Sequence, residues 1–387
     1  MTVGPEHSLG PQQGPASAAG DRPRVSVLMP VRNEGAYIDI SLGAVLRQSW
    51  GTADLEVLVL DGMSDDDTRA RVRAWQERRP EVDLRILDNP GRIAPCAMNV
   101  GLRAARGDVI VRVDGHCEIG EHYVAHAVAH LQRGSDGVGG PLTTLGEGPT
   151  AQAIAAAMGS RFGVGGSAFR TTPSDADAAP SLDLDAVREV DTVAFPAYTR
   201  EISDQVGFYD EELVRNQDDE YNYRLRKLGG RLVLALDMPA KYYSRTGYAK
   251  LWRQYRQYGF WKVRVLQKHP RQMSARQFVP ALFVAALAAG LLLGLSTGVS
   301  GARVSGVTAS LGIWAWAPLF AVLGAYGTAC AAAAWTTARA HVEQHPDGAG
   351  FFALLWRLPL AFVLLHLGYG IGSWLGLVRF AGRWRRP

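Results

Sequence analysis

The stretch RVDGHC, Arg112–Cys117, closes a run of β-branched residues, Val109-Ile110-Val111, with an acid, a glycine and a histidine. Taken alone, Asp-Gly reads as a solvated turn. Its neighbours give it more weight. Arg24–Met29 (RVSVLM), Leu55–Leu60 (LEVLVL), Leu84–Leu87 (LRIL) and Asp108–Val113 (DVIVRV) are short apolar runs. Between them lie segments of helical spacing at Ala36–Gln48, Asp66–Arg79 and Pro95–Arg106. Near-continuous Val/Ile/Leu strands alternating with helices predict an α/β fold: a mostly parallel sheet with helices on both faces. In such a sheet ligands bind beyond the carboxyl ends of the strands. Three strands end there in polar groups: Pro30 with Asn33 and Glu34, Asp61, and Asp114-Gly115-His116.

Within a strand, positions 114 and 116 share a side, so Asp114 and His116 are expected to face one ion. Gly115 between them would admit a phosphate. A neutral imidazole as one of the two ligands favours Mn²⁺ over Mg²⁺.

Composition divides the 387 residues into a polar front and an oily back. Residues 1–23 are rich in Gly, Pro, Ala and Gln with no apolar run, which predicts a disordered tail and no signal peptide. Three scattered cysteines without CxxC spacing argue against a disulfide framework or zinc knuckle and fit a reducing cytosol. Residues 24–247 read as the α/β domain. Within it, Thr171–Ala186 holds four Asp and no base, a flexible loop with a possible hinge at Gly163–Ser167. Asn216–Leu228 (NQDDEYNYRLRKL) reads as a helix stopped by Gly229-Gly230, followed by a strand at Arg231–Leu236.

The segment 248–277 is basic. Lys250–Arg276 contains eight Lys or Arg and no acid, which suggests the anionic cytosolic leaflet of a membrane and no nucleic acid. Tyr248, Leu251, Trp252, Tyr255 and Tyr258 form an aromatic stripe suited to a headgroup interface, or to a packed core. Residues 278–378 hold two or three spans: Val279–Gly298, Leu311–Trp335 and Phe351–Val378, the last interrupted by Arg357, Pro359 and His366. Orientation poses a conflict. Bases precede the first span, and the tail 379–387 is basic as well, yet three crossings cannot leave both in the cytosol. Either all three segments cross, or the third is re-entrant or interfacial.

In order along the chain, VSVLMPVRNEG (Val25–Gly35), LEVLVLDGMSDDDT (Leu55–Thr68), GRIAPCAMNVGLRAARGDVIVRVDGH (Gly91–His116) and NQDDEYNYRLRKLGGRL (Asn216–Leu232) resemble the motifs of inverting family 2 glycosyltransferases of GT-A fold. RVDGHC, DTVAFPAYTRE and YGFWK bring the closer likeness to the succinoglycan-type glucosyltransferases of exopolysaccharide assembly. The resemblance implies that Pro30, Asn33, Glu34, Asp61, Arg92 and Asp114 bind the nucleotide. It places a divalent metal at Asp114 and His116, where the family has a second Asp, and makes Asp218 the catalytic base. Tyr198 and Arg200 would lie on the acceptor side. The implied substrates are a UDP-sugar and a polyprenyl-linked glycan. The protein would sit in the plasma membrane with its catalytic domain in the cytoplasm, beside other polysaccharide-assembly enzymes. The Q-x-x-R-W signature of processive synthases is absent. Polyprenyl phosphate as the direct acceptor, and a non-catalytic membrane scaffold, stand as alternatives; His116 and Gln217, where the family has Glu, motivate the second.

Overall fold

The computed structural model describes residues 22–173, 180–244, 247–301 and 314–384. The tail expected at 1–23 thus falls almost wholly outside the described residues. So do part of the acidic loop expected at 171–186 and the end of the basic tail.

Eleven strands are found among the described residues: β1 Val25–Val31, β2 Leu55–Asp61, β3 Asp83–Asp88, β4 Val109–Arg112, β5 Cys117–Ile119, β6 Gly137–Gly139, β7 Leu142–Leu145, β8 Val187–Glu189, β9 Ala197–Thr199, β10 Leu232–Ala235 and β11 Ala240–Tyr243. Eight of them form one sheet in the order β3-β2-β1-β4-β9-β6-β10-β8. β1 through β4 pair in parallel, in the α/β arrangement expected. β9 enters antiparallel between β4 and β6, a strand the hydrophobic pattern did not announce because it is three residues long. β5, β11 and β7 make a second, small sheet.

Along β1 the side chains divide between two cores. Val25, Val27, Met29 and Val31 pack on one face, while Leu28 joins Leu58 and Leu60 on the other. Burial on both faces is why these strands read as unbroken apolar runs. Pro30 sits past the last β1–β4 pair, Leu28 with Arg112, so its missing N–H removes no ladder bond.

One buried acid braces the far edge of this sheet. Glu56 of β2 is fully buried and accepts hydrogen bonds from Ser26 Oγ, Arg106 Nε (3.0 Å) and Arg85 Nη2 (2.6 Å). Burial alone would raise its pKa; the bonds from Ser26, Arg106 and Arg85 outweigh it and hold the carboxyl at about 2. Its stabilisation is therefore complete above about pH 4.5 and is lost as pH falls through about 2. Glu56→Ala is expected to lower stability by about 3–5 kcal/mol at neutral pH, because two guanidinium groups lose their shared buried partner. Thermal unfolding in detergent at pH 7 and pH 3 checks this, with the difference between variant and parent shrinking at the lower pH.

The C-terminal half departs from expectation. Leu251 and Tyr255, from the supposed headgroup stripe, are buried with Ile154, Met158, Cys330, Phe362 and Leu365. The stripe is a packing face. The helix Gly148–Gly159, counted with the α/β domain, also joins this core. Of the eight bases expected to face lipid, four are ion-paired to acids of the α/β domain: Lys262 with Asp219, Arg264 with Glu212, Lys268 with Asp210 and Glu212, and Arg276 with Asp191. Among the described residues three helices are long and apolar enough to cross a membrane, within Val279–Ser296, Ala317–Gln344 and Phe351–Arg379.

Candidate active site

Strand register carries the expected polar groups to one rim. Asp61 ends β2 opposite Val31, and Asp114 lies two residues beyond the Leu28–Arg112 pair. The helix Gln217–Lys227 brings Asp218 in from a distant part of the chain, starting after Asn216 in left-handed conformation (φ 63°).

Arg112 joins two of these acids. Its Nε donates to Asp114 Oδ1 at 2.8 Å, and its Nη1 donates to Asp218 Oδ1. The guanidinium is almost fully buried at 7% exposure, Asp114 retains 20% and Asp218 35%. Burial alone would raise the pKa of Asp114, but the charge of Arg112 outweighs it and holds that carboxyl below its ordinary value. Asp218 moves the other way. Desolvation pushes its pKa up, the negative charges of Asp114 and Asp219 add to this, and Arg112 only partly offsets them. Of the two carboxylates, Asp218 is the stronger base.

Arg112 was not singled out from the sequence. The available signal was a charged residue inside an apolar strand, VIVRV, where an unpaired guanidinium would be costly.

His116 and Asp114 lie beyond the end of β4, in a turn, so strand alternation does not orient them. Position comes from elsewhere. His116 Nδ1 lies 3.2 Å from Glu34 Oε1, and its ring packs edge-on against Tyr242 at 4.9 Å. Glu34, expected to help seat the nucleotide, is buried and touches His116. Gly115 does not open a phosphate path. A Cβ there would stand 2.8 Å from Val31 and 3.0 Å from Glu34, so the glycine is required for packing under the rim.

Asp61 is buried beneath Arg69, whose Nη1 donates to its Oδ2 at 2.7 Å; Ser64 N also donates to this carboxylate, at 3.1 Å. A nucleotide hydroxyl would have to share or displace Arg69. Asn33 (φ 55°) ties the loop after β1 to the loop after β2, accepting from Asp65 N at 3.0 Å. Arg92 (φ 60°) is exposed beside Arg32. Tyr198 and Arg200 do not reach an acceptor side. Tyr198 Oη donates to Asn222 Oδ1 in the core, and Arg200 donates to the carbonyls of Ala105 and Gly107. Asp61, Asp114 and Asp218 therefore stand on one rim, the last two bridged by Arg112.

A cavity of about 480 Å³ opens beside this rim, between the α/β domain and the turn after Ala317–Gln344. Its walls include Tyr37 stacked on Tyr243 at 5.5 Å, with Glu147, Gln152, His341 and His345. Tyr243 N donates to His116 O, so the cavity adjoins the Glu34–His116 corner.

Among the described residues no group of three or more His, Cys, Asp or Glu converges as a metal centre. Asp114 and His116 offer one carboxylate and one imidazole, and the Glu34 carboxylate, 3.2 Å from His116 Nδ1, fixes the orientation of the ring. This donor set suits a cation that takes its remaining ligands from a diphosphate. It does not suit a closed structural site.

Comparison with known proteins agrees with this geometry. Residues 26–163 match the model of glycosyl transferase family 2. The chain is 30% identical over 364 residues to the succinoglycan biosynthesis protein ExoA of Rhizobium meliloti (strain 1021), covering 92% of this chain and 96% of that protein. It is 26% identical to a dolichyl N-acetyl-alpha-D-glucosaminyl phosphate glucuronosyltransferase (the 2,3-diacetamido-2,3-dideoxy sugar) of Methanococcus voltae, covering 63% of this chain and 74% of that one. Among solved structures, the mannosyltransferase PcManGT of Pyrobaculum calidifontis, in complex with GDP-Man and Mn²⁺, superposes with a TM-score of 0.50 at 20% identity, over 90% of this chain and 87% of its own. That likeness shows a GT-A fold. A near full-length relative and a matching family model on the same parallel sheet lead to one conclusion: the chain belongs to glycosyltransferase family 2.

Proposed function

We propose that this transferase moves a hexose, glucose in the first instance, from a UDP-sugar to a polyprenyl-diphosphate-linked glycan, with inversion at the anomeric carbon. The setting is exopolysaccharide or cell-envelope polysaccharide assembly at the cytoplasmic face of the plasma membrane. The observation that carries the reading is the pair of acids on one rim, Asp114 held low and Asp218 held high, on either side of Arg112. Separating the affinities of two carboxylates for a proton is how one site divides its acid–base roles.

Asp218 accepts the proton of the acceptor hydroxyl as its oxygen bonds to the anomeric carbon from the face opposite the diphosphate. The bond from that carbon to the diphosphate oxygen breaks, and its electron pair leaves with UDP. Asp114 and His116 would hold a divalent cation, with Glu34 fixing the imidazole. Such a cation, when bound, supplies Lewis-acid stabilisation of the charge on the departing diphosphate. Arg112 holds a permanent positive charge between the two acids. Asp61, with Asn33 and Arg92 on the adjoining loops and Pro30 beneath them, forms the nucleotide side. The cavity at Tyr37 and Tyr243 receives sugar units of the acceptor, since aromatic faces with amide and carboxylate neighbours suit neutral hydroxylated rings.

Three relatives inform this reading. ExoA belongs by name to succinoglycan biosynthesis, the methanogen enzyme is named for a dolichyl-linked acceptor, and the fold neighbour was solved with a nucleotide sugar and Mn²⁺. The test is a screen of radiolabelled nucleotide sugars in isolated membranes, reading label in the lipid extract. Incorporation from UDP-glucose supports the proposal. Lipid-linked label from a GDP-sugar alone, or from no donor at all, would overturn it.

Replacing the usual second acid with His116 carries its own expectation. Turnover with Mn²⁺ should exceed that with Mg²⁺ by about tenfold, because imidazole is a better ligand for the former. Equal rates in a UDP-release assay would remove His116 from the ligand set.

A further inference from the structure

The third apolar segment holds to the α/β domain along its whole length. Ala349 N, at its start, donates to Gln152 Oε1 at 2.6 Å. In its middle, His366 Nε2 lies 2.8 Å from the carbonyl of Phe162. Just past its end, Arg383 Nη1 donates to Glu212 Oε1 at 2.7 Å. A helix that crosses a bilayer must carry its two ends to opposite faces, about 30 Å apart. This one meets the same domain at start, middle and end.

Its closest partner is the basic helix Tyr248–Lys268, which runs beside Leu358–Arg379 in the same direction. Tyr248 Oη donates to Arg357 O at one end, and Gln267 Nε2 donates to Phe380 O at the other. Between them Gly368, Gly372 and Gly376 recur every fourth residue and face Trp252, Arg256 and Phe260. A Cβ on Gly372 would stand 2.1 Å from Arg256 O, and one on Gly259 would stand 2.0 Å from Tyr369 O. The two backbones touch, as small residues spaced by four allow.

That partner cannot enter hydrocarbon. Lys262, Arg264 and Lys268 are bonded to Asp219, Glu212 and Asp210 of the α/β domain. Moving these pairs into the bilayer would take the domain's own acids with them, at several kcal/mol per ion. A helix bonded to it at both ends, with the two backbones touching from Gly368 to Gly376, must lie at the same depth.

The other two apolar helices behave differently. They pair with each other, Gly290 against Leu319 and Gly294 against Trp316, and only the later part of the second, at Cys330, Ala334 and Ala338, returns to the core shared with Ile154 and Met158. The first meets the third helix near its own start, at Pro280, Ala281 and Val284.

We propose that the third apolar segment does not cross the membrane. It lies in the plane of the interface, on the side of the α/β domain, across the base of a two-helix hairpin that does cross. Its outward face is apolar: Leu360, Trp374, Leu375 and Val378 are 47%, 43%, 46% and 77% exposed and fall on one stripe, with Phe352 and Trp356 exposed ahead of it. The occupant of that face is the bilayer at the boundary of headgroups and acyl chains. Continuity with the hairpin and the two tryptophans fit this depth. The arrangement resolves the charge conflict, since two crossings leave the basic segments before Val279 and after Val378 on one side. It also sets the height of the site. Asp219 and Glu220, next to Asp218, are bonded to Lys262 and His269 of the layer that rests on the lipid.

The test is sidedness at the two ends of the segment. Gly350 and Gly382 have nothing within 4 Å of a Cβ, so cysteine fits at both. In full-length chains with Cys96, Cys117 and Cys330 replaced by Ala, Gly350→Cys and Gly382→Cys should both react with a membrane-impermeant maleimide in inverted vesicles and not in intact cells. Reaction of the two from opposite sides would overturn the proposal. Should the cysteine-free chain fail to accumulate, paired reporters fused after Pro387 of the unsubstituted chain decide it. A fluorescent cytosolic reporter supports the in-plane helix, and an active exported phosphatase overturns it.

Discussion

Asp218→Asn is expected to lower transfer by about a thousandfold, within the usual range for loss of a general base, while UDP affinity stays within about twofold. Asparagine keeps the shape and leaves an oxygen for Arg112, so the helix start and the guanidinium are not displaced. What is lost is the proton acceptor. The environment is built to make that acceptor effective, since desolvation and the nearby charges of Asp114 and Asp219 raise its proton affinity against the pull of Arg112. UDP release in the presence of acceptor, beside calorimetric titration of UDP, separates the two effects. A variant that turns over within tenfold of the parent would move the base elsewhere, and one that loses UDP binding as well would make Asp218 a structural anchor.

The second large effect belongs to Asp114. Asp114→Ala should remove the dependence of UDP affinity on Mn²⁺ and lower transfer by about a thousandfold, since metal stabilisation of a leaving diphosphate amounts to several kcal/mol. The same change frees Arg112 to pair with Asp218 alone, which adds to the loss by leaving one buried acid with a full positive charge beside it. A Mn²⁺ titration of UDP affinity is the diagnostic readout, because a fold defect would weaken binding with and without the ion alike. If Mn²⁺ still tightened UDP binding in this variant, Asp114 would not be a ligand. His116→Gln should show a smaller version of the same defect, its carboxylate neighbour remaining.

These expectations differ in origin. Asp61, Asp114 and Asp218 could be named from spacing and resemblance because each sits at a predictable place: the end of a strand or the start of a helix. The charges that tune them could not be named. Arg112 is read in sequence as a strand residue, and its two partners lie 2 and 106 positions away. Glu34 was expected on the nucleotide side, and its contact with His116 could not be read from spacing, because its backbone is fixed by Thr68 across the neighbouring loop. Tyr198 and Arg200 were expected near the acceptor, yet β9 turns Tyr198 inward once it inserts between β4 and β6, and Arg200, opening the helix after it, is bonded to the carbonyls of Ala105 and Gly107. In each case pairing between distant segments decided which face a side chain took.

The membrane half makes the same point on a larger scale. Length and composition alone identify three apolar helices, and the charge pattern alone shows that three crossings are uncomfortable. The interruptions at Arg357, Pro359 and His366 make the third the candidate to stay out of the bilayer, and the proposed in-plane placement rests on its packing. That depends on Gly368, Gly372 and Gly376 meeting a helix whose bases are already bonded to Asp219, Glu212 and Asp210.

By itself the sequence determined the local grammar of this protein: which runs are strands, which acids end them, which segments shun water. Periodicity and hydrophobicity are properties of neighbouring residues, and neighbours are what a chain displays. Only the tertiary structure decided which acid keeps its proton more tightly and which oily helix packs along the basic one. Both are set by electrostatic contacts between residues far apart in the chain, and these exist only once the chain has closed on itself.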